Sequence, residues 1–337
     1  MTRATVLGPV VCLGVHILDV LGRPVTTIPP GQHSVIIDEI RATAAGTAAG
    51  TSVDLAKLGV RVRNVGAIGD DMLGEIVLSL LESHGVETDL ISRLAGRPTS
   101  ATILPIRPNG ERPALHVPGA NGAFTAADVT PAQREAVRSA AAVHFGGLDA
   151  MTAIDPAAWA EAAAGAHERG ALVTMDVLRN GDGSSLRALA PVLAHTDWFC
   201  PNEEQLVGLT GETDLRRAAE TVMALGTGGV AVTRGELGCR VIDHRLDVAL
   251  PALDIEVRDT TGCGDGFDAG FLTGLLAGLT PREAAWVGTV CGSLVATGLG
   301  SDAGITDRAQ VADLLDGVGD LDASAAARRL RSLPEMS

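Results

Sequence analysis

Apolar positions recur along this chain in two rhythms. Short apolar runs, most with β-branched members, at 10–13, 62–68, 141–145, 172–176, 198–200 and 230–233, have the length of buried strands. Between them lie Ala- and Leu-rich stretches with helical spacing, the first at 48–57 with Gly59 placed as its C-cap. Strand and helix patterns that alternate in this way predict crossover units around a mainly parallel central sheet, an α/β fold. After the loop residues Pro24, Pro29, Pro30 and Gly31, the segment 34–37 reads as a further strand. Residues 97–121 carry Pro98, Pro105, Pro108, Pro113 and Pro118 among β-formers, a composition suited to edge strands or a small flap. The acidic-then-basic segment 316–337 predicts a final solvated helix or tail.

Composition narrows the partners. At 337 residues, 46% hydrophobic and 20% charged, with a mean hydropathy of +0.25, the chain can bury a large core. Its net charge of −15 and pI near 4.9 argue against nucleic acid and anionic membranes and favour a small molecule. No run reaches the length of a membrane span, and His16 and Asp19 interrupt the early apolar stretch that a signal sequence would need. Cys12, Cys200, Cys239, Cys263 and Cys291 are odd in number and widely spaced, as in a reducing, cytoplasmic compartment.

The most informative stretch is Asp259-Thr260-Thr261-Gly262-Cys263-Gly264-Asp265-Gly266-Phe267, with apolar residues at helical spacing after it. A glycine-rich turn running into a helix offers unpaired N–H groups at Gly262, Cys263 and Gly264, a phosphate cradle without lysine. Asp265 stands beside those donors either as a base for an attacking hydroxyl or as an N-cap. Lys57, the single lysine, is followed by Leu58, so no P-loop exists. A dinucleotide fingerprint fails because Phe267 stands where the last glycine would be.

These residues resemble the C-terminal signature of the PfkB family of carbohydrate kinases, the ribokinase-like fold, and the resemblance runs from about residue 13 to about 304. It implies a three-layer α/β sandwich over 1–315 with a small β lid built from about 14–40 and 97–121. Gly14 and Asp19 resemble the family's substrate-contacting aspartate block, and Asp19 alone could equally be a turn residue. Ala45-Gly46-Thr47-Ala48-Ala49-Gly50 resembles the block at a substrate-facing helix start, with Gly50 where relatives carry a substrate-binding asparagine. The segment 65–74, with Gly66, Gly69, Asp70, Asp71 and Gly74, resembles the lid-hinge block. Asn121 resembles a substrate contact after the lid strands, and Asp176 with Arg179 a turn at a later strand end. Asn202 and Gln205 resemble a block acting through water on Mg2+, with Gln205 in the place of a glutamate and Glu204 beside it. Thr233, Gly235 and Gly238 resemble the nucleotide turn, and Thr289 or Cys291 is expected near the base. Asp259 and Thr261, with the loop 296–301, resemble the potassium site of several relatives.

The resemblance therefore implies transfer of the ATP γ-phosphoryl group to a sugar hydroxyl, with Mg2+, possible K+ dependence, Asp265 as base and a homodimer formed through the lid. A nucleoside kinase of the same fold and a catalytically weakened sugar-binding regulator are the alternatives.

Overall fold

The computed structural model describes residues 9–334. The six apolar runs, joined by three strands outside them, Glu87–Leu94, Cys239–Asp243 and Asp247–Leu250, form a nine-stranded sheet in the order Asp247–Leu250, Cys239–Asp243, Gly229–Thr233, Trp198–Phe199, Leu172–Asp176, Ala142–Gly146, Val10–Gly14, Val62–Gly69 and Glu87–Leu94. Every neighbouring pair is parallel except the two made by Cys239–Asp243. Helices cover both faces, which is why the central strands read as continuous apolar runs rather than alternating ones. The result is the three-layer arrangement expected of the chain.

A second sheet of four strands, in the order Glu39–Ala45, Ile17–Arg23, Ala101–Pro105 and Leu115–Val117, stands against one end of the first. Its registers set Asp19 opposite Thr43 and Thr102, and Thr102 opposite His116. Because side chains alternate along a strand, Asp19, Thr102 and His116 share one face while Val20, Ile103 and Leu115 share the other. Residues 34–37, read as a strand, are irregular, and Ile36 is 97% exposed. The strand begins at Glu39 instead, where a partner in Ile17–Arg23 is in register, since a strand exists only where its hydrogen bonds are taken up.

The C-terminal segment also differs from expectation. Helix Leu321–Arg331 buries Ala323, Ala326, Ala327 and Leu330 against helix Pro281–Ala296, so only its outer face is solvated.

The parallel registers align Gly14, Gly146 and Asp176 at the carboxyl ends of three adjacent strands. A Cβ on Gly14 would lie 1.8 Å from the Gly146 carbonyl oxygen, so no other residue fits at this turn-off. This edge of an open parallel sheet, where the chain leaves each strand into a loop, is where such folds bind ligands.

Candidate active site

Between that edge and the inner face of the small sheet lies a cavity of about 580 Å3. Two helices point their N-termini at it. Thr47–Lys57 starts at Gly46 (φ +91°) and Cys263–Leu276 at Gly262 (φ +81°), and neither has a side-chain cap. Both glycines occupy the left-handed region that lets the chain turn sharply into the helix. Among the described residues the N–H groups of Gly262, Gly264 and Asp265 have no hydrogen-bond partner, while the Cys263 N–H reaches only the Thr260 carbonyl at 3.5 Å. Together with the helix dipole they form a site for an anion.

Asp265 is the third residue of its helix rather than its cap, which removes the capping alternative. Its carboxyl, 8% exposed, is pushed up to about 7 by burial and by the Asp19 carboxylate, against the opposing pull of the Arg112 guanidinium. Asp19, 7% exposed, is raised to about 6 by burial, an effect that the Thr102 hydroxyl and Arg112 offset in part. A carboxylate with a pKa near the working pH and a view of an anion site is suited to taking a proton from a hydroxyl.

The expected residues fall into two groups. Asp19, Gly46, Asn202, Thr233, Gly235, Thr261, Gly262, Gly264 and Asp265 line the cavity. Asn121, Gly50, Gly238, Thr289, Cys263 and Asp259 do not. The Asn121 amide donates to the His16 carbonyl at 2.8 Å and accepts from the His16 N–H at 3.2 Å, so it pins the loop between two strands. Gly50 lies behind Asp265, and its place in the site is to make room: a Cβ there would stand 2.4 Å from Asp265 Oδ2. Gly238 (φ +83°) closes the turn beneath the Leu250 carbonyl, and the Thr289 hydroxyl donates to the Ala285 carbonyl at 2.8 Å. Cys263, half-buried, opens the helix with its thiol raised to about 12 by burial, a neutral group unsuited to nucleophilic work. Cys291 is buried in the core beside the helix Cys263–Leu276.

Gln205 closes a capping box. Its Oε1 accepts the Asn202 N–H at 2.8 Å and its Nε2 donates to the Val177 carbonyl at 2.8 Å. The amide is thus committed on both sides to the protein, and Glu204 Oε2 accepts from Asn180 at 3.1 Å. Among the described residues no group of three or more acidic, histidine or cysteine side chains could hold a metal by itself. Mg2+ fits here in the manner usual for it, through substrate phosphates and water with at most one or two carboxylates. At the suggested potassium loop, Asp259 Oδ1 accepts from the Thr261 N–H and hydroxyl at 3.0 and 2.8 Å, and Oδ2 accepts from the Gly300 N–H at 2.9 Å. Arg41 and Lys57 donate to the Leu299 and Asp302 carbonyls. This chain's own hydrogen bonds and cations already hold the loop.

Thr102, Arg112 and His116 also line the cavity and belong to none of the matched blocks, while Thr47 and Ser301 line it from the helix-start block and the loop 296–301. Thr102 and His116 could have been found from strand alternation around Asp19. Nothing local marks Arg112, which reaches Thr260 across 148 residues of chain.

Residues 9–308 match the pfkB family carbohydrate kinases. A sugar kinase of Archaeoglobus fulgidus is 31% identical over 237 residues, covering 69% of this chain and 90% of its own. The ribokinase of Bacillus subtilis is 26% identical over 294 residues, covering 85% and 92%. The structure of Arabidopsis thaliana ribokinase complexed with ribose and ATP superposes with a TM-score of 0.77 at 23% identity, covering 92% of this chain and 99% of that one. The fold and the site thus define a phosphotransferase that uses an alcohol group as acceptor. The chain belongs to the pfkB family of carbohydrate kinases.

Proposed function

We propose that the protein transfers the γ-phosphoryl group of MgATP to a hydroxyl of a sugar or sugar derivative. The observation that carries this reading is the convergence of Asp265, with its raised pKa, on a helix start whose N–H groups are free. The acceptor O–H proton passes to the Asp265 carboxylate as the new O–P bond forms and the bond from Pγ to the ADP oxygen breaks. Gly262, Gly264 and Asp265 donate their N–H groups to phosphoryl oxygens, and Asp19 with Thr102 orients the acceptor hydroxyls. Asn202, Thr233 and Gly235 line the end of the cavity assigned to nucleotide. Mg2+, when bound with ATP, neutralises phosphate charge. Five cysteines without a disulfide suit a cytoplasmic location, and no described helix is long and apolar enough to cross a membrane.

The test is ADP release measured against a panel of hexoses, pentoses, sugar acids and nucleosides. Asp19→Ala should raise the acceptor KM by about 10- to 100-fold, the effect of losing a charge-assisted hydrogen bond, and leave the ATP KM within about twofold. A change confined to the ATP KM would assign Asp19 to the nucleotide, and no acceptor-dependent ADP release across the panel would remove the reaction.

The outer face of the small sheet suits a second copy of the chain. Ile103 (57% exposed), Leu115 (60%), Ile40 and Val117 form an uncharged apolar strip there, while the opposite face of the same strands lines the cavity. Sedimentation of the wild type should give a dimer and Ile103→Glu a monomer. A monomeric wild type at micromolar concentration overturns the dimer.

A further inference from the structure

The loop 296–305 shapes the anion turn because it packs directly on it. A Cβ on Gly262 would stand 2.4 Å from Ser301 Cα, and Ser301 Oγ donates to the Ala44 carbonyl at 3.1 Å, which ties the loop to the strand Glu39–Ala45. Whatever fixes this loop therefore fixes the free N–H groups of the turn. The resemblance in sequence points to a potassium ion for that task, and the residues do not fit one. Backbone carbonyls would supply most of its ligands, and those of Ala296, Gly300 and Ala303 already accept from the Arg258, Ala303 and Ile305 N–H groups at 2.8, 3.1 and 2.8 Å. The Leu299 carbonyl takes Arg41 Nη1 at 2.8 Å, and the Asp302 carbonyl takes the ammonium of Lys57. Each cation has its own carboxylate: Arg41 Nη2 donates to Asp302 Oδ2 at 3.1 Å, and Lys57 Nζ lies 3.6 Å from Asp54 Oδ1. A further cation beside these two positive groups would meet repulsion that solvent screens poorly.

We propose that Arg41 and Lys57 are resident cations of this loop that stand in for a monovalent metal ion, so that the enzyme works without potassium; this rests on the kinase reading above. Neither side chain lines the cavity, so both are positioning residues that act through the loop on Gly262 and the anion turn. The two divide the work by their chemistry. The planar guanidinium spans a carbonyl and a carboxylate with two N–H donors, whereas the compact ammonium of the chain's single lysine reaches the largely buried space between two helical turns and the loop. A charge tethered to the chain is present at every salt composition, which an exchangeable ion is not. Asp54 makes the arrangement specific: it is fully buried, neither of its oxygens has a hydrogen-bond donor among the described residues, and Lys57 is the cation beside it.

Wild-type ADP release should agree within about twofold in potassium, sodium and tetramethylammonium chloride at equal ionic strength. The melting temperature of the free protein should be the same in potassium and sodium within about 1 °C, since no ion binds the folded state specifically. Lys57→Met keeps the length of the side chain and removes its charge. In tetramethylammonium it should lower kcat about tenfold by loosening the anion turn. Potassium should restore most of that loss and raise the melting temperature of this variant by a few degrees over its value in tetramethylammonium, beyond any shift the wild type shows, because an ion can then settle between Asp54 and the Asp302 carbonyl. Arg41→Gln, at a half-exposed position where folding is not at stake, should change in the same direction by a smaller factor. Stimulation of the wild type by potassium of more than about twofold overturns the proposal. So do variants with wild-type turnover in every salt, which would show that the loop needs no cation, and losses that no salt restores, which would make the two side chains ordinary packing groups. A wild type without transfer to any acceptor in any salt removes the kinase reading and this role with it, whereas an active wild type that potassium stimulates removes the role alone.

Discussion

Asp265→Asn should lower turnover by roughly 100- to 10,000-fold while leaving the fold intact. The amide has the same shape and takes no proton, so the acceptor hydroxyl must attack without a base. Folding is spared because Asp265 caps no helix and the neutral amide is easier to bury than a carboxylate. The wild type should also carry the signature of the raised pKa. Burial and Asp19 hold Asp265 at about 7, and the base works only when ionised, so kcat/KM should fall tenfold per pH unit below about 7. In Asp265→Asn that acid limb should vanish from whatever activity remains. Near wild-type turnover in a folded Asp265→Asn protein, or an acid limb at an ordinary carboxylate pKa near 4, would show that another group takes the proton.

Local chemistry was the legible part of the site. The turn from Asp259 to Asp265 could be read because its glycines, its base and the helix that follows are neighbours in sequence, and the geometry at Gly262 is a local backbone requirement. Asp19 could be read from its distance to Gly14, but the meaning of its burial could not, since that depends on Thr102 and Arg112 across the lid. The amides were the least legible groups. Asn121 is expended on His16, 105 residues away, and Gln205 on Val177, and a side-chain amide in a sequence does not announce which backbone group it will satisfy. In the fold, the runs of the central sheet were plain because burial on both faces makes them uniformly apolar. The lid was not: Ile17–Arg23 mixes Asp19, Gly22 and Arg23 with apolar residues because one of its faces lines the cavity, and 34–37 is apolar without having a partner strand. The acidic-then-basic charge of 316–337 points to a solvated helix or tail, and the face that helix Leu321–Arg331 buries is mostly alanine, which marks a close-packed face more faintly than leucine.

Gly50 supplies the sharper test of how the base is placed. Gly50→Ala sets two effects of opposite sign against each other. In the interior of helix Thr47–Lys57 the change gains about 1 kcal/mol of helix propensity. The new Cβ, however, would lie 2.4 Å from Asp265 Oδ2, 2.8 Å from its Cγ and 3.1 Å from its Cβ, distances that no relaxed structure keeps. Either the Asp265 side chain swings toward the cavity or the two packed helices part. Rotation of one side chain with open space beside it disturbs fewer contacts than the separation of a helix pair, so the base should move and the fold should stay. Displacement of a catalytic group by about 1 Å costs on the order of 100-fold, and turnover in Gly50→Ala should fall by at least that much while the melting temperature stays within a few degrees. The double mutant locates the cause. If the glycine acts through the carboxylate, adding Gly50→Ala to Asp265→Asn should lower the residual turnover by less than about threefold, because there is no longer a base to misplace. A full hundredfold further loss in that background would show that Gly50 serves the acceptor or the helix start instead, and Gly50→Ala with wild-type turnover would show that the carboxylate has room to spare.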